Sequence, residues 1–128
     1  MASSVELNFL CDTTVPKRKG PYRSVRFEGE VIRAEAGGPV IARHEGHEWH
    51  VDGEPYSRLQ CNGRIAVHFE RADGTRSKKY GPYETVCFID GVAYVNHRIF
   101  AFVDRSIVDW YCHEDDKHWP LMIVSPAE

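Results

Sequence analysis

Nowhere does this sequence approach the eighteen or so consecutive apolar residues that a membrane-spanning helix needs, and residues 1–8 lack the basic and apolar stretches of a secretory signal. Both absences point to a soluble, cytoplasmic protein without a membrane partner. Cysteine is sparse and scattered. Cys11, Cys61, Cys87 and Cys112 form no Cys-x-x-Cys pair, which leaves no zinc ribbon or thioredoxin-type motif and reads as four reduced, buried thiols. There is no Gly-x-Ser-x-Gly elbow, no phosphate-binding Gly-rich loop followed by Lys and Ser or Thr, and no dinucleotide fingerprint. These gaps weigh against an enzyme without excluding one, because two or three carboxylates brought together by folding leave no such signature. No cofactor is implied. Charge of one sign is also lacking: a net charge of -3 and a pI near 6.2 supply no general attraction to nucleic acid or to an anionic membrane.

What is present is an ordinary globular composition, 42% hydrophobic and 27% charged, with a 12% aromatic share that gives a core several large side chains. A chain of 128 residues buries enough surface to fold without disulfides or metal, so one domain spanning 1–128 is expected. Charge is unevenly distributed. Lys17, Arg18, Lys19, Arg23 and Arg26, then Arg71, Arg76, Lys78 and Lys79, hold nine of the sixteen basic residues, while acidic residues crowd at 45–54 and 109–116.

An internal repeat organises the chain. Gly20-Pro21-Tyr22-Arg23-Ser24-Val25-Arg26-Phe27 set above Gly81-Pro82-Tyr83-Glu84-Thr85-Val86-Cys87-Phe88 is identical in five of eight columns, at a shift of 61 positions from Gly20 to Gly81. Without a gap the same shift places Val31 over Val92 and Trp49 over Trp110. With a one-residue insertion it runs backward to Phe9 over Phe69 and Lys17-Arg18 over Lys78-Lys79. A tandem duplication with units at about 5–61 and 65–125 is the reading.

Each unit has the pattern of β structure. Val5, Leu7, Phe9 and Cys11 alternate with Glu6, Asn8 and Leu10, and Ile65, Val67 and Phe69 alternate with Arg64, Ala66 and His68, the period of a strand with one buried face. An exposed basic loop and a Gly-Pro-Tyr turn are expected after each. Hairpins are predicted at Gly29-Glu30, Glu45-Gly46, Asn62-Gly63 and Asp90-Gly91. About eleven short strands result, and the fold class is mostly all-β: a pseudo-twofold barrel or two-sheet sandwich, one half from each copy. A short helix near 100–111 is the alternative to strand there, since Phe100, Val103, Ile107 and Trp110 also fit a helical stripe. Strand is favoured because the counterpart in the first copy contains Gly37, Gly38, Pro39 and Gly46.

Three clusters bear on function. His44, His47 and His50 form the densest set of metal-ligand types, but their spacing of three, interrupted by Gly46, does not place two imidazoles on one helical face as a zinc-protease motif does. A solvated polar hairpin is the expectation. Cys112-His113-Glu114-Asp115-Asp116-Lys117-His118 lacks regular ligand spacing and reads as a solvated loop. The duplicated basic stretches, with Lys17, Arg18, Lys19 and Tyr22 in one copy and Lys78, Lys79 and Tyr83 in the other, are the candidate ligand-binding residues, cations mixed with Tyr as in sites that hold phosphates. The functional expectation is therefore a non-enzymatic binding or interaction module that meets a protein or an anionic ligand through end loops of a β scaffold. The alternatives are a small-ligand barrel or metal-dependent enzyme using His44, His47 and His50, and a weak polyanion binder using the basic loops, with nucleic acid the less favoured partner.

Overall fold

Alternation produces strands where the sequence alternates, and strand is the dominant element among the described residues. The structure, a computed structural model, describes residues 4–12 and 15–127. They form fourteen strands and no helix: β1 Val5–Leu10, β2 Lys17–Tyr22, β3 Val25–Glu28, β4 Val31–Arg33, β5 Val40–Glu45, β6 Glu48–Val51, β7 Glu54–Tyr56, β8 Arg58–Glu70, β9 Tyr80–Ile89, β10 Val92–Val95, β11 Arg98–Asp104, β12 Asp109–Cys112, β13 Lys117–Trp119 and β14 Leu121–Pro126. Segment 100–111 is two strands joined by a turn, not helix; Ile107, a member of the helical stripe, sits exposed in the turn between β11 and β12.

All pairings join the strands into one antiparallel sheet in the order β13-β12-β11-β10-β9-β8-β14-β3-β4-β5-β6-β7, with β1 beside β8 and β2 beside β1. This replaces the expected barrel or two-sheet sandwich. The sheet does not close, because β7 and β13 are both left as ends; it bends over itself instead. Phe27 on β3 and Phe88 on β9 are not neighbours in the sheet, yet their rings stack at 4.6 Å, and Trp49 and Trp110 meet both of them edge-on at 5.9–6.2 Å. Val25, Phe27, Val86 and Phe88 are all fully buried. Burying each such side chain contributes about 1.5–3 kcal/mol relative to exposure. The indole Nε1 atoms of Trp49 and Trp110 are both buried without a hydrogen-bond partner.

The two halves share their registers. Phe9 pairs Leu59 and Phe69 pairs Met122; Leu7 pairs Lys19 and Val67 pairs Tyr80; β4–β5 slips between Ile32 and Arg33, and β10–β11 between Ala93 and Tyr94. One detail of the ungapped alignment is corrected. Arg33 pairs Val40 while Tyr94 pairs Ile99, so the first half has six intervening residues and the second four; His44 pairs Trp49 while Val103 pairs Trp110, with four and six. The two length differences cancel, which is why Trp49 still falls over Trp110. Between them the ladder matches His44 with Val103 rather than with Arg105.

Three expectations fail: the Asn62-Gly63 hairpin, the exposed loop at 17–22, and the Gly-Pro-Tyr turns, which lie in strands β2 and β9 instead. Asn62-Gly63 is not a hairpin: β8 runs straight through it with a register slip, and Gly63 adopts φ 130° with its α-carbon facing the Ser4 carbonyl, where a Cβ would approach to 2.8 Å. Lys17–Tyr22 is not an exposed loop but edge strand β2; Pro21 is tolerated there because β2 pairs only with β1 and no partner needs its missing N–H. In both Gly-Pro-Tyr motifs the Gly-Pro bond is cis. Asp90-Gly91 is the expected tight turn, both residues having positive φ, 49° and 74°.

Candidate functional site

The first basic stretch is partly neutralised by a single carboxylate. Alternation along β2 sends Lys17 and Lys19 to one side, and there the β6–β7 turn presents Asp52, whose Oδ2 lies 2.7 and 2.8 Å from the two Nζ atoms. Hydrogen bonds from Lys17 and then Lys19 pull the Asp52 carboxyl down to about 2, and Asp52 in turn raises Lys17. Arg18 donates from Nε to Asn8 Oδ1 at 3.2 Å. Tyr22 is half-buried against the core rather than presented to solvent.

The second stretch is arranged differently. Tyr83 is again half-buried, its ring 6.1 Å from Phe100, and burial pushes its hydroxyl up. The preceding loop is tightly tied: Arg71 N–H donates to Thr75 O, Gly74 N–H to Arg71 O, Thr75 N–H to Asp73 Oδ1, and Ser77 Oγ accepts from Phe69 N–H at 2.9 Å. Arg71 lies over the Trp119 ring at 4.0 Å and donates to His118 O at 3.1 Å, while Lys78 Nζ sits 5.4 Å from the Tyr80 ring. Trp119 Nε1 donates to Asp115 Oδ2 at 3.0 Å. Between this loop and the β12–β13 turn opens a cavity of about 340 Å³. Lys79 lies outside it, against Ala66, Gly81 and Pro126. Each basic stretch therefore faces the acidic turn of its own half. Arg71 stands out in the sequence only as part of the basic stretch, and Tyr80 and Trp119, which complete the second site, are not candidates there; the repeat points only to Tyr80, which the ladder sets where the first half has Lys19.

The three candidate histidines do not converge. His44 is buried, 2% exposed, with its ring 4.9 Å from Trp49; His47 is exposed in the turn; His50 pairs Arg43 on the opposite face of the sheet from His44. Among the described residues no group of three His, Cys, Asp or Glu side chains is placed to hold a metal ion. His44 belongs instead to a polar clasp between the halves. Its Nε2 lies 3.3 Å from Asp90 Oδ1, Arg105 Nη2 lies 3.1 Å from its Nδ1, Arg105 Nε is 3.1 Å from Glu30 Oε1, and His47 Nδ1 is 2.8 Å from Asp90 Oδ2. Arg105 also donates to the Gly46 carbonyl. Arg105 Nη2 also lies 3.3 Å from Nε2; the Asp90 carboxylate at Nε2 and the shorter Arg105 contact at Nδ1 fit a neutral imidazole that donates from Nε2 and accepts at Nδ1. Burial, then the Arg105 charge, lowers the His44 pKa from the usual 6.5, outweighing Glu30 and Asp90. The two turns meet the opposite half closely: a Cβ on Gly91 would lie 3.1 Å from His44 Cε1, and one on Gly29 2.7 Å from Val108 Cγ1. The signal for this clasp is absent locally, since Arg105 and His44 stand in different halves.

A groove of about 800 Å³ runs along the outer face of β9 and β10 past Tyr83, Thr85, Cys87, Ile89 and Tyr94. Cys87 lines it but is only half-buried, as is Cys11, whereas Cys61 and Cys112 are fully buried; the expectation of four buried thiols holds for two. Burial raises Cys61, Cys87 and Cys112, so none is poised as a thiolate nucleophile. His113 faces away from Cys112, its ring packing on Phe102 and Tyr111. No helix among the described residues is long and apolar enough to cross a membrane. Searches against protein-family models, curated proteins and solved structures found no match to this chain.

Proposed function

We propose that this chain is a non-enzymatic binding module of the cytoplasm, arisen by tandem duplication of a unit of about 61 residues, that meets its partner through loops at the ends of the sheet. The observation that carries the reading is the interior. A small-ligand barrel keeps a cavity of several hundred Å³ with convergent polar groups; here the space between the halves is taken by Phe27, Phe88, Trp49 and Trp110, packed ring against ring. The grooves open instead along the outer sheet face and beside the second basic loop. Matching registers and bulges in the two halves support the duplication. Native mass spectrometry of the purified chain tests the function. The expected spectrum contains no stoichiometric metal and no apolar ligand that is released only on unfolding. A metal retained one-to-one through chelator dialysis, or a ligand trapped in the interior, overturns the reading.

A further inference from the structure

We infer that the cavity between residues 71–79 and the β12–β13 turn binds a small phosphate-bearing anion. This rests on the binding-module reading and names the ligand class of one of its loop sites. The two halves hold their cations in different ways. In the first half Lys17 and Lys19 share one carboxylate, Asp52, which offsets one of their two charges and occupies both ammonium groups. In the second half Arg71 is held by the face of Trp119 and by the His118 carbonyl, and Lys78 by the face of Tyr80. An aromatic face positions a cation through its quadrupole without adding a formal negative charge. The site is thus fixed but not neutralised.

The remaining lining agrees. Arg76 and Lys117 bring the cations around the cavity to four, against two carboxylates, Glu114 and Asp115. Asp115 is already engaged, accepting from Lys117 N–H at 3.1 Å and from Trp119 Nε1, and Arg76 is shared with Glu70 at 3.3 Å. Glu114 is the one opposing charge in the lining without a hydrogen bond or ion pair. A phosphate monoester carries about -1.5 to -2 charge at neutral pH and three acceptor oxygens, matching donors that arrive from separate directions. At about 340 Å³ the cavity suits a small molecule. A polyanion would need a second cationic surface, and Asp52 weakens the first half's contribution to one.

Titration calorimetry at low salt, with inorganic phosphate and phenyl phosphate as probes of free and esterified phosphate, tests the inference. Saturable binding of at least one probe is expected. Lys78→Gln and Lys117→Gln should each weaken it about tenfold, the loss of one charge-assisted contact. Glu114→Gln should tighten it, and Lys17→Gln with Lys19→Gln should leave it unchanged. Circular dichroism confirms that each variant is folded. Absence of saturation by either probe to about 10 mM overturns the inference. So does equal sensitivity to Lys17 and Lys19, or a single-stranded oligonucleotide that binds more tightly and depends on both basic stretches. In those cases the native mass spectrum still decides the binding-module reading by itself.

Discussion

Replacing Phe27 by Leu removes three aromatic contacts at once, with Phe88 at 4.6 Å, Trp110 at 5.9 Å and Trp49 at 6.2 Å. At about 0.5–1.5 kcal/mol for each pair beyond area burial, the expected loss is about 1.5–4.5 kcal/mol. Phe88→Leu removes the equivalent three, with Phe27, Trp49 and Trp110. The stacked pair is common to both variants, so the double variant should fall short of the summed losses by a coupling of about 0.5–1.5 kcal/mol. Urea unfolding followed by tryptophan fluorescence and by far-ultraviolet dichroism measures each corner of the cycle. With a slope of about 1–3 kcal/mol per molar urea, a loss of this size moves the midpoint by about a molar. Because the stack joins strands far apart in the sheet, one transition common to both probes is expected. Strict additivity, or two transitions with separate midpoints, would refute the claim that the halves are packed face to face through these rings.

Other consequences are as direct. The imidazole of His44 binds protons more weakly folded than at its ordinary 6.5, so the unfolded chain takes up the proton first as pH falls. Its contribution is full above about 6.5 and is lost below; chemical denaturation from pH 7 to 5 should show that decline, and His44→Gln should flatten it, whereas parallel profiles would contradict the assigned neutral state. Carboxyl resonances should place Asp52 near 2, and Lys17→Gln should move it toward the ordinary 3.8, with no change counting against the ion pair. Gly63→Ala forces a side chain onto φ 130° with a Cβ 2.8 Å from the Ser4 carbonyl and should cost about 1–3 kcal/mol; a neutral outcome in thermal melts would mean β8 does not pass through this position as a bulge.

Where a residue's neighbours in sequence decide its structure, the sequence was readable. The alternation of Val5, Leu7 and Phe9, and of Ile65, Val67 and Phe69, became two inward faces, and Asp90-Gly91 became the expected turn. Asn62-Gly63 misleads because glycine serves a hairpin and a bulge equally; the choice is made by β1 and β14, which pair with different lengths of β8. Lys17–Tyr22 misleads because an edge strand needs only one partner and tolerates charge and proline. The barrel expectation was right that the chain is all-β, but it counted about eleven strands where fourteen form and had no access to closure, which depends on whether β7 and β13 meet. Of the candidate ligand residues, Lys78 lines the second cavity, while Tyr22 and Tyr83 are half-buried against the core, Tyr83 also lining the outer groove. What separates Lys78 from Lys17 is the chemistry of the group beneath it, Tyr80 in one half and Asp52 in the other, and that is visible only after folding.

The most direct test of the account is an amide chemical-shift map of the intact chain titrated with phenyl phosphate. Shifts confined to residues 71–80 and 113–119, with 17–22 and the indole protons of Trp49 and Trp110 unmoved, are the predicted result. Shifts centred on those interior indoles would place the ligand between the halves and contradict a packed scaffold that binds through its end loops.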